Sequence, residues 1–273
     1  MTETTTAPAV SGSSFYAGMR VLPKPEREAM YAIYAFCRAV DDIADDQAVD
    51  PNDRRAALDR WREDLDALYA GGGEPAGLAE AIHRFGLEKA DFVAIIDGMA
   101  MDVAADICWP SFETLDLYCD RVASAVGRLA VRIFGMEHEP GILLAHELGR
   151  ALQLTNILRD IDEDAAIGRV YLPREYLEKV GIAPESPAQI LADPRLDGAC
   201  RALAGVVFAH FEKADRILAR KPVGHLLAPR LMAAVYVRLL RQMIATGWAA
   251  PRRRPRVSKL ALLGTLAWLR IAR

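Results

Sequence analysis

Helix-forming segments follow one another along most of this chain of 273 residues, and this feature limits the available folds most strongly. Ala, Leu, Arg and Glu fill long stretches with apolar residues at helical spacing, and no stretch sustains the alternation of a strand. The predicted helices cover residues 25–46, 51–69, 78–85, 89–103, 111–134, 140–164, 198–218 and 226–246. Only short Gly- and Pro-containing breaks separate them, so we expect one all-α domain.

The composition argues against several other classes of protein. The net charge of −3 gives no general attraction to nucleic acid. The four cysteines form no CxxC pair, which favours reduced thiols in a cytoplasmic protein over disulfides or a zinc site. Residues 1–10 lack the features of a secretory signal and are expected to form a disordered lead. No apolar run reaches the roughly 18 residues of a membrane span.

The first predicted helix carries a polar stripe along an otherwise apolar surface. The stripe consists of Tyr34, Arg38, Asp41 and Asp45. Spacings of four, three and four residues align these side chains at about 100° per residue. Desolvated carboxylates require a cation, so a positive group is expected to meet them. A single acidic segment of this kind, however, is most often a solvated helix end.

The predicted helix 140–164 repeats this pattern. Its stripe consists of Gln153, Asn156, Asp160 and Asp164. Carboxylates one turn apart, beside an Asn carbonyl, are hard oxygen ligands suited to Mg²⁺, which readily shares its coordination with phosphate oxygens. The two stripes together therefore predict a magnesium–diphosphate site. Arg38 and Arg159, which lie in register with the stripes, are expected to donate to diphosphate oxygens.

Six segments resemble the squalene/phytoene synthase family and occur in the family's order and spacing. They are SGSSFYAGMRVLP, AIYAFCRAVDDIADD, GMAMDV, YCDRVASAVG, QLTNILRDIDEDAAIGRVYLP and AAVYVRLLRQM. This resemblance implies a single-domain isoprenoid synthase bundle over residues 11–256, with a central apolar cavity. Residues 257–273 are expected to form a basic amphipathic helix that either belongs to this domain or faces a membrane.

The resemblance implies roles for individual residues. The implied metal ligands are Asp41, Asp45, Asn156, Asp160 and Asp164. The implied substrate-binding residues are Ser11, Gly12, Ser13, Ser14, Phe15, Tyr34, Arg38, Gln153, Arg159 and Tyr236. Arg253 is a further candidate for diphosphate contact, with solvent exposure as its alternative. Mg²⁺ is the implied cofactor, and Mn²⁺ is its alternative.

The resemblance also implies which residues take part in catalysis. Tyr118 matches a tyrosine proposed to help remove the proton that closes a cyclopropane ring, although released pyrophosphate is a rival base. Tyr171 matches a second cavity tyrosine, and its alternative is a rim residue bonded to a backbone group. Arg38 and Arg159 are expected to stabilise the leaving pyrophosphate. For Asp97 and Asp102, in the segment IIDGMAMDV, a structural role is favoured over one in shaping the cavity mouth.

The predicted helix 111–134 is a candidate wall of the cavity. Its apolar stripe is expected to comprise Tyr118, Val122, Ala125 and Leu129, with the small residues Ala123, Ser124 and Gly127 nearby. Such a stripe is more often plain core, but small side chains could make room for a prenyl tail.

The sequences of these segments are most similar to those of bacterial members of the family that serve hopanoid synthesis. This implies head-to-head (1'-2-3) condensation of two farnesyl diphosphates to presqualene diphosphate, with release of pyrophosphate. Phytoene or squalene synthesis is the alternative. A non-catalytic assembly factor is disfavoured because both acidic stripes are kept. No GxGxxG follows a predicted strand, and no NADPH is expected.

The C-terminal tail is both basic and apolar. From Arg252 onward its charged residues are all cations, and they flank the segment LALLGTLAWL. This pattern predicts a helix that lies peripherally on an anionic membrane, at its inner face in a cytoplasmic protein. The alternative is a last core helix whose arginines are solvated or, for Arg253, face diphosphate.

Overall fold

The computed structural model describes residues 18–104 and 107–271, and these contain helices but no strand. The predicted lead, 1–10, and the predicted substrate-binding residues 11–15 lie outside them. The helices are α1 Lys24–Asp45, α2 Pro51–Tyr69, α3 Ala76–Phe85, α4 Lys89–Ala104, α5 Phe112–Cys119, α6 Ala125–Ile133, α7 His138–Arg159, α8 Ile161–Ala166, α9 Arg174–Lys179, α10 Pro187–Ala192, α11 Leu196–Ala219, α12 Leu227–Thr246 and α13 Lys259–Ile271. The all-α prediction is confirmed.

Local side-chain chemistry defines several helix ends. Asp50 precedes Pro51 and accepts a hydrogen bond of 2.8 Å from the backbone N–H of Asn52, which caps α2. Ser111 caps α5 by accepting from the N–H of Thr114 at 3.1 Å. Gly86 ends α3 at φ +58°, in the left-handed region that glycine adopts most easily. The residues at these three positions therefore help to set the helix ends.

Two predicted helices are interrupted in the structure. The segment predicted over 140–164 divides at Asp160, whose φ of −104° and ψ of 18° end α7 and begin α8. The segment predicted over 111–134 contains a π-helical turn, Asp120–Ser124, between α5 and α6. The short helices α9 and α10 were not predicted.

Close contacts with two glycines accompany the π-helical turn. A Cβ on Gly149 of α7 would lie 2.6 Å from the Cα of Ser124, and a Cβ on Gly98 of α4 would lie 2.5 Å from the Cγ1 of Val122. Both distances are below van der Waals contact, so α4 and α7 reach the turn only because these residues lack side chains. The turn is thus held between two helices.

The helices enclose two apolar cores. One core is formed mainly by α1–α4 with α6, and the other mainly by α5, α7 and α9–α12. Helix α7 packs against α11 on one side and against α6 on the other, so it lies at the boundary of the cores. The two acidic stripes occupy the C-terminal ends of α1 and α7–α8. In the described parts of the chain, no helix has both the length and the apolar character needed to cross a bilayer.

Candidate active site

An apolar cavity of about 300 Å³ lies where the two cores meet, with walls from α1, α6, α7 and α12. Along α7 its lining runs from Leu144 to Asn156, a span of about 18 Å at the rise of an α-helix. Tyr34, Gln153 and Tyr236 line it together with Asn156. The cavity therefore has a polar end beside the acidic stripes and an apolar end formed by residues such as Leu144 and Phe134.

The π-helical turn changes which residues of the predicted wall face the cavity. The lining residues of this segment are Val122, Ala123, Val126, Gly127, Ala130, Val131 and Phe134. The prediction was wrong for Ala125 and Leu129, which are fully buried in the α1–α4 core, and Tyr118 is not among the lining residues either. The π turn changes the register between Tyr118 and the residues after it, so helical spacing counted from Tyr118 selects the wrong face. Ser124 points to the backbone carbonyl of His146 instead.

The acidic stripe of α1 is paired with two arginines. Arg38 donates at 2.5 Å to Asp41 and at 2.5 Å to Asp42. Arg169, from the loop after α8, donates at 2.5 Å to Asp45 and at 3.0 Å to the carbonyl of Ala44. Burial raises the pKa of Asp41 to about 6, and the negative charge of Asp45 contributes. The positive charge of Arg38 therefore offsets only part of the effect of burial on this carboxylate.

The acidic stripe of α7–α8 has a similar arrangement. Arg159 donates two hydrogen bonds to Asp160, at 2.7 and 2.5 Å, and Arg254 donates to the same carboxylate at 2.8 Å. Burial, followed by the charge of Asp160, raises the pKa of Asp164 to about 7. The Oδ1 of Asn156 is buried and has no hydrogen-bond partner among the described residues. A buried carbonyl oxygen of this kind is costly unless a ligand satisfies it.

Asp102 of α4 and Arg169 lie between the two stripes. The Nε of Arg169 is 3.7 Å from the Oδ1 of Asp102, while its terminal nitrogens bind the end of α1. The charge of Asp102 raises the pKa of both Asp41 and Asp164. The stripes of α1 and α7–α8 are therefore close enough to share one electrostatic environment.

The two predicted tyrosines meet at the carboxylate of Asp102. Tyr171 donates its hydroxyl proton to Oδ1 at 2.5 Å, and Tyr118 donates to Oδ2 at 3.0 Å. Their rings stack with centroids 5.1 Å apart. Burial strongly raises the pKa of both phenols, and the charge of Asp102 adds to the effect. Tyr171 is thus bonded to a side chain rather than to the backbone.

The remaining predicted residues divide between the cavity and a neighbouring depression. Burial raises the pKa of Tyr236, and hydrogen bonds with Arg159 and Asn156 partly offset this effect. Arg253 is exposed and lines a depression of about 250 Å³, which also includes Arg159 and Arg254. Arg159 therefore separates the cavity from this basic depression.

The residues present fit a divalent ion, although they do not form a ready-made cluster. No group of three His, Cys, Asp or Glu side chains converges as a metal site within residues 18–104 and 107–271. The carboxylates of Asp41, Asp45 and Asp160 instead form ion pairs with arginine side chains. A cation would satisfy the buried Oδ1 of Asn156 and would favour the charged form of Asp164, whose pKa is raised. Both residues offer the hard oxygen ligands that Mg²⁺ prefers.

Arg169 and Arg254 were not predicted as site residues. Arg169 binds Asp45 across 124 positions of the chain, and Arg254 binds Asp160 across 94. Helical spacing cannot reveal pairs at such separations. The sequence does contain an indication that Asp102 belongs to a site, because a lone carboxylate in the apolar segment GMAMDV is costly to bury unless it is paired or hydrogen-bonded.

The fold and the site define a helical synthase of the prenyltransferase type, and comparisons with known proteins agree. The family model described as "Squalene/phytoene synthase" matches residues 9–261. A presqualene diphosphate synthase of Zymomonas mobilis subsp. mobilis is 60% identical over 268 residues, which cover 96% of this chain and 92% of the relative. A presqualene diphosphate synthase of Rhodopseudomonas palustris is 55% identical over 258 residues, with 92% of each chain covered.

Solved structures support the same assignment. A crystal structure described as a dehydrosqualene synthase in complex with a ligand matches with a TM-score of 0.78 at 25% identity. The match covers 95% of this chain and 91% of the other. The chain belongs to the squalene/phytoene synthase family.

Proposed function

We propose that the protein joins two molecules of farnesyl diphosphate head to head, forming presqualene diphosphate and releasing pyrophosphate. The observation that carries this proposal is the position of two acidic stripes at the polar end of an apolar cavity about 18 Å long. This arrangement suits a molecule with a charged head and a long apolar tail. The relatives that are 60% and 55% identical, both presqualene diphosphate synthases, support the choice of product.

The proposed metal ligands are Asp41, Asp45, Asn156, Asp160 and Asp164. Bound Mg²⁺, or Mn²⁺ as the alternative, supplies a Lewis acid that stabilises the diphosphate leaving group. Arg38 and Arg159 pair with Asp41 and Asp160, so their guanidinium groups lie beside these proposed ligands. With these carboxylates engaged in holding the ion, Arg38 and Arg159 would be free to donate to diphosphate oxygens.

The apolar lining protects the reacting carbon atoms. Ionisation of the first farnesyl diphosphate breaks its C1–O bond and leaves an allylic cation, which water would capture. Ala123, Val126, Gly127 and Ala130 keep this part of the wall apolar and thin. The double bond of the second chain then attacks the cation. Loss of a proton supplies the electron pair that closes the cyclopropane ring.

The proton acceptor in this step is proposed to be Tyr118, and released pyrophosphate is the alternative. Tyr118 is buried beside Asp102, and Val122, in the adjoining π-helical turn, lines the cavity. Because burial raises its pKa, the phenol of Tyr118 is neutral at physiological pH. It can therefore accept a substrate proton only if it transfers its hydroxyl proton to another group.

A product assay tests the proposed function. The purified protein is incubated with farnesyl or geranylgeranyl diphosphate and Mg²⁺, with and without NADPH. Presqualene diphosphate from farnesyl diphosphate, independent of NADPH, is the expected product. Phytoene from the longer substrate, or squalene with NADPH, would identify one of the family's other activities. Asp160→Asn should abolish turnover, and Asp162→Asn, which changes an exposed neighbouring carboxylate paired with Arg252, should not.

We further propose that α13 contacts an anionic membrane surface, at the inner face if the protein is cytoplasmic. Leu262, Leu266 and Leu269 pack against the core, whereas Leu260, Leu263 and Trp268 are exposed by 81, 60 and 63%. The helix is therefore apolar on both faces, which is unusual for a helix in contact with water. The exposed cations Arg253 and Arg256 precede it and suit anionic headgroups.

Sedimentation with vesicles of phosphatidylcholine and phosphatidylglycerol tests the membrane contact. The double variant Leu263→Glu/Trp268→Glu changes only the exposed face and should release the protein. Val223→Glu alters an equally exposed apolar residue, 63% accessible and outside α13, and should bind as wild type does. Undiminished vesicle binding of the double variant would contradict the proposed membrane contact.

A further inference from the structure

We propose that Asp102 is a positioning residue for the proton-removal step, and that it acts by holding the hydroxyl groups of Tyr118 and Tyr171. This inference rests on the proposed function, because it concerns the step in which that reaction closes its ring. The supporting geometry is a single carboxylate that receives one phenol on each of its oxygens, at 2.5 and 3.0 Å.

The two hydrogen bonds determine where the phenolic protons point. A hydroxyl has one proton and two lone pairs, so a proton donated to Asp102 leaves the lone pairs of that oxygen directed elsewhere. The hydroxyl oxygens are 3.5 Å apart and the rings are stacked, which restricts rotation of either phenol. Asp102 therefore presents the tyrosines as acceptors rather than as donors.

Arg169 allows this carboxylate to remain charged in a buried position. The Asp102 side chain is only 4% exposed, and Arg169 approaches it at 3.7 Å. An unpaired charge at this depth would be strongly disfavoured. Because Arg169 also binds Asp45, the tyrosine pair is mechanically connected to the acidic stripe of α1. The proton acceptor and the diphosphate end of the site are thereby held in one network.

The proposed transfer balances without any further reactant. A substrate C–H bond breaks, and its electron pair forms the last C–C bond of the cyclopropane ring. The proton passes to the phenolic oxygen of Tyr118, while the hydroxyl proton of Tyr118 passes to the carboxylate of Asp102. The tyrosine is neutral before and after the step. The raised pKa of Asp102, about 6 because of burial, is consistent with a carboxylate that accepts a proton.

The test uses Asp102→Asn in the full-length protein with farnesyl diphosphate and Mg²⁺. Asn keeps the shape of the side chain but offers an NH₂ group to one tyrosine and cannot take up a proton. We expect kcat to fall about 100-fold while KM stays close to that of wild type, since general-base assistance contributes about 10²–10⁴-fold to a rate. Asp91→Asn is the matched control, because Asp91 is a buried carboxylate of the same helix that pairs with Arg128. Its kcat should not change.

A double-variant background separates positioning from a merely structural role. In Tyr118→Phe/Tyr171→Phe, Asp102 has no phenol to hold, so adding Asp102→Asn should cause no further loss of kcat. A full additional loss there would overturn the proposal, as would a wild-type kcat for Asp102→Asn alone.

Two further outcomes are decisive. If Asp102→Asn does not fold, as judged by circular dichroism, Tyr171→Phe tests the same contact: a lower kcat at unchanged KM supports the proposal, and an unchanged kcat overturns it. Wild-type protein that makes no presqualene diphosphate would instead overturn the proposed function.

Discussion

The contact between Gly149 and the π-helical turn predicts a sizeable effect of adding one methyl group. In Gly149→Ala, the new Cβ would lie 2.6, 2.7 and 2.8 Å from the Cα, N and Oγ of Ser124. Two of these atoms belong to the backbone and cannot rotate away, so α7 must separate from the turn. Overpacking of this kind costs about 1–3 kcal/mol. The higher helix propensity of Ala returns about 1 kcal/mol, which leaves a net loss of up to about 2 kcal/mol.

Thermal unfolding measures this effect. For a chain of this size the loss corresponds to a Tm lower by up to about 8 °C. Gly205→Ala is the matched control, since Gly205 lies inside α11 with open space around the added Cβ. That variant should be more stable than wild type by about 0.5–1 kcal/mol. Equal Tm changes in the two variants would refute the argument that the turn is tightly held against α7.

Three other predictions follow from the charges of the site. The raised pKa of Asp102, about 6 against about 3.9 in an unfolded chain, favours folding below pH 4, and this advantage is lost as the pH rises through 6. In urea unfolding without metal, the free energy of unfolding of Asp102→Asn minus that of wild type should therefore increase by about 2 kcal/mol from pH 4.5 to pH 8. A difference that does not change with pH would contradict the raised pKa of Asp102. Arg169→Ala leaves Asp102 without its cation and should destabilise the protein by about 3 kcal/mol at pH 8 and by less at pH 5, and an effect independent of pH would argue against this pairing. Mg²⁺ with pyrophosphate should raise the Tm of wild type by several degrees and leave that of Asp160→Asn almost unchanged, whereas equal shifts would place the binding site elsewhere.

Local patterns in the sequence were sufficient to predict the longer helices and the alignment of the two acidic stripes, but not the short helices α9 and α10. Helix α1 spans Lys24–Asp45 against a prediction of 25–46, because a proline start and apolar spacing are signals carried by neighbouring residues. The side chains of Tyr34 and Asn156 reach the cavity as their helical positions require. Predictions of this kind depend on geometry within one helix, which sequence spacing describes well.

Features that depend on packing between helices could not be predicted in this way. The π-helical turn is in close contact with Gly98 and Gly149, which are distant in sequence, and it moved Ala125 and Leu129 off the cavity wall. Likewise, the partner of Asp45 is Arg169, which follows α8 and is separated from α1 by the seven helices α2–α8. The spacing of the motifs contains no information about such contacts.

Analysis of the products from farnesyl diphosphate tests the central claim most directly. Purified protein with Mg²⁺ should convert two farnesyl diphosphates into one presqualene diphosphate and one pyrophosphate, and Asp160→Asn should not. Mass spectrometry of the lipid extract, together with a pyrophosphate assay, measures both products. Recovery of unreacted substrate, or of farnesol alone, from folded wild-type protein would contradict the account.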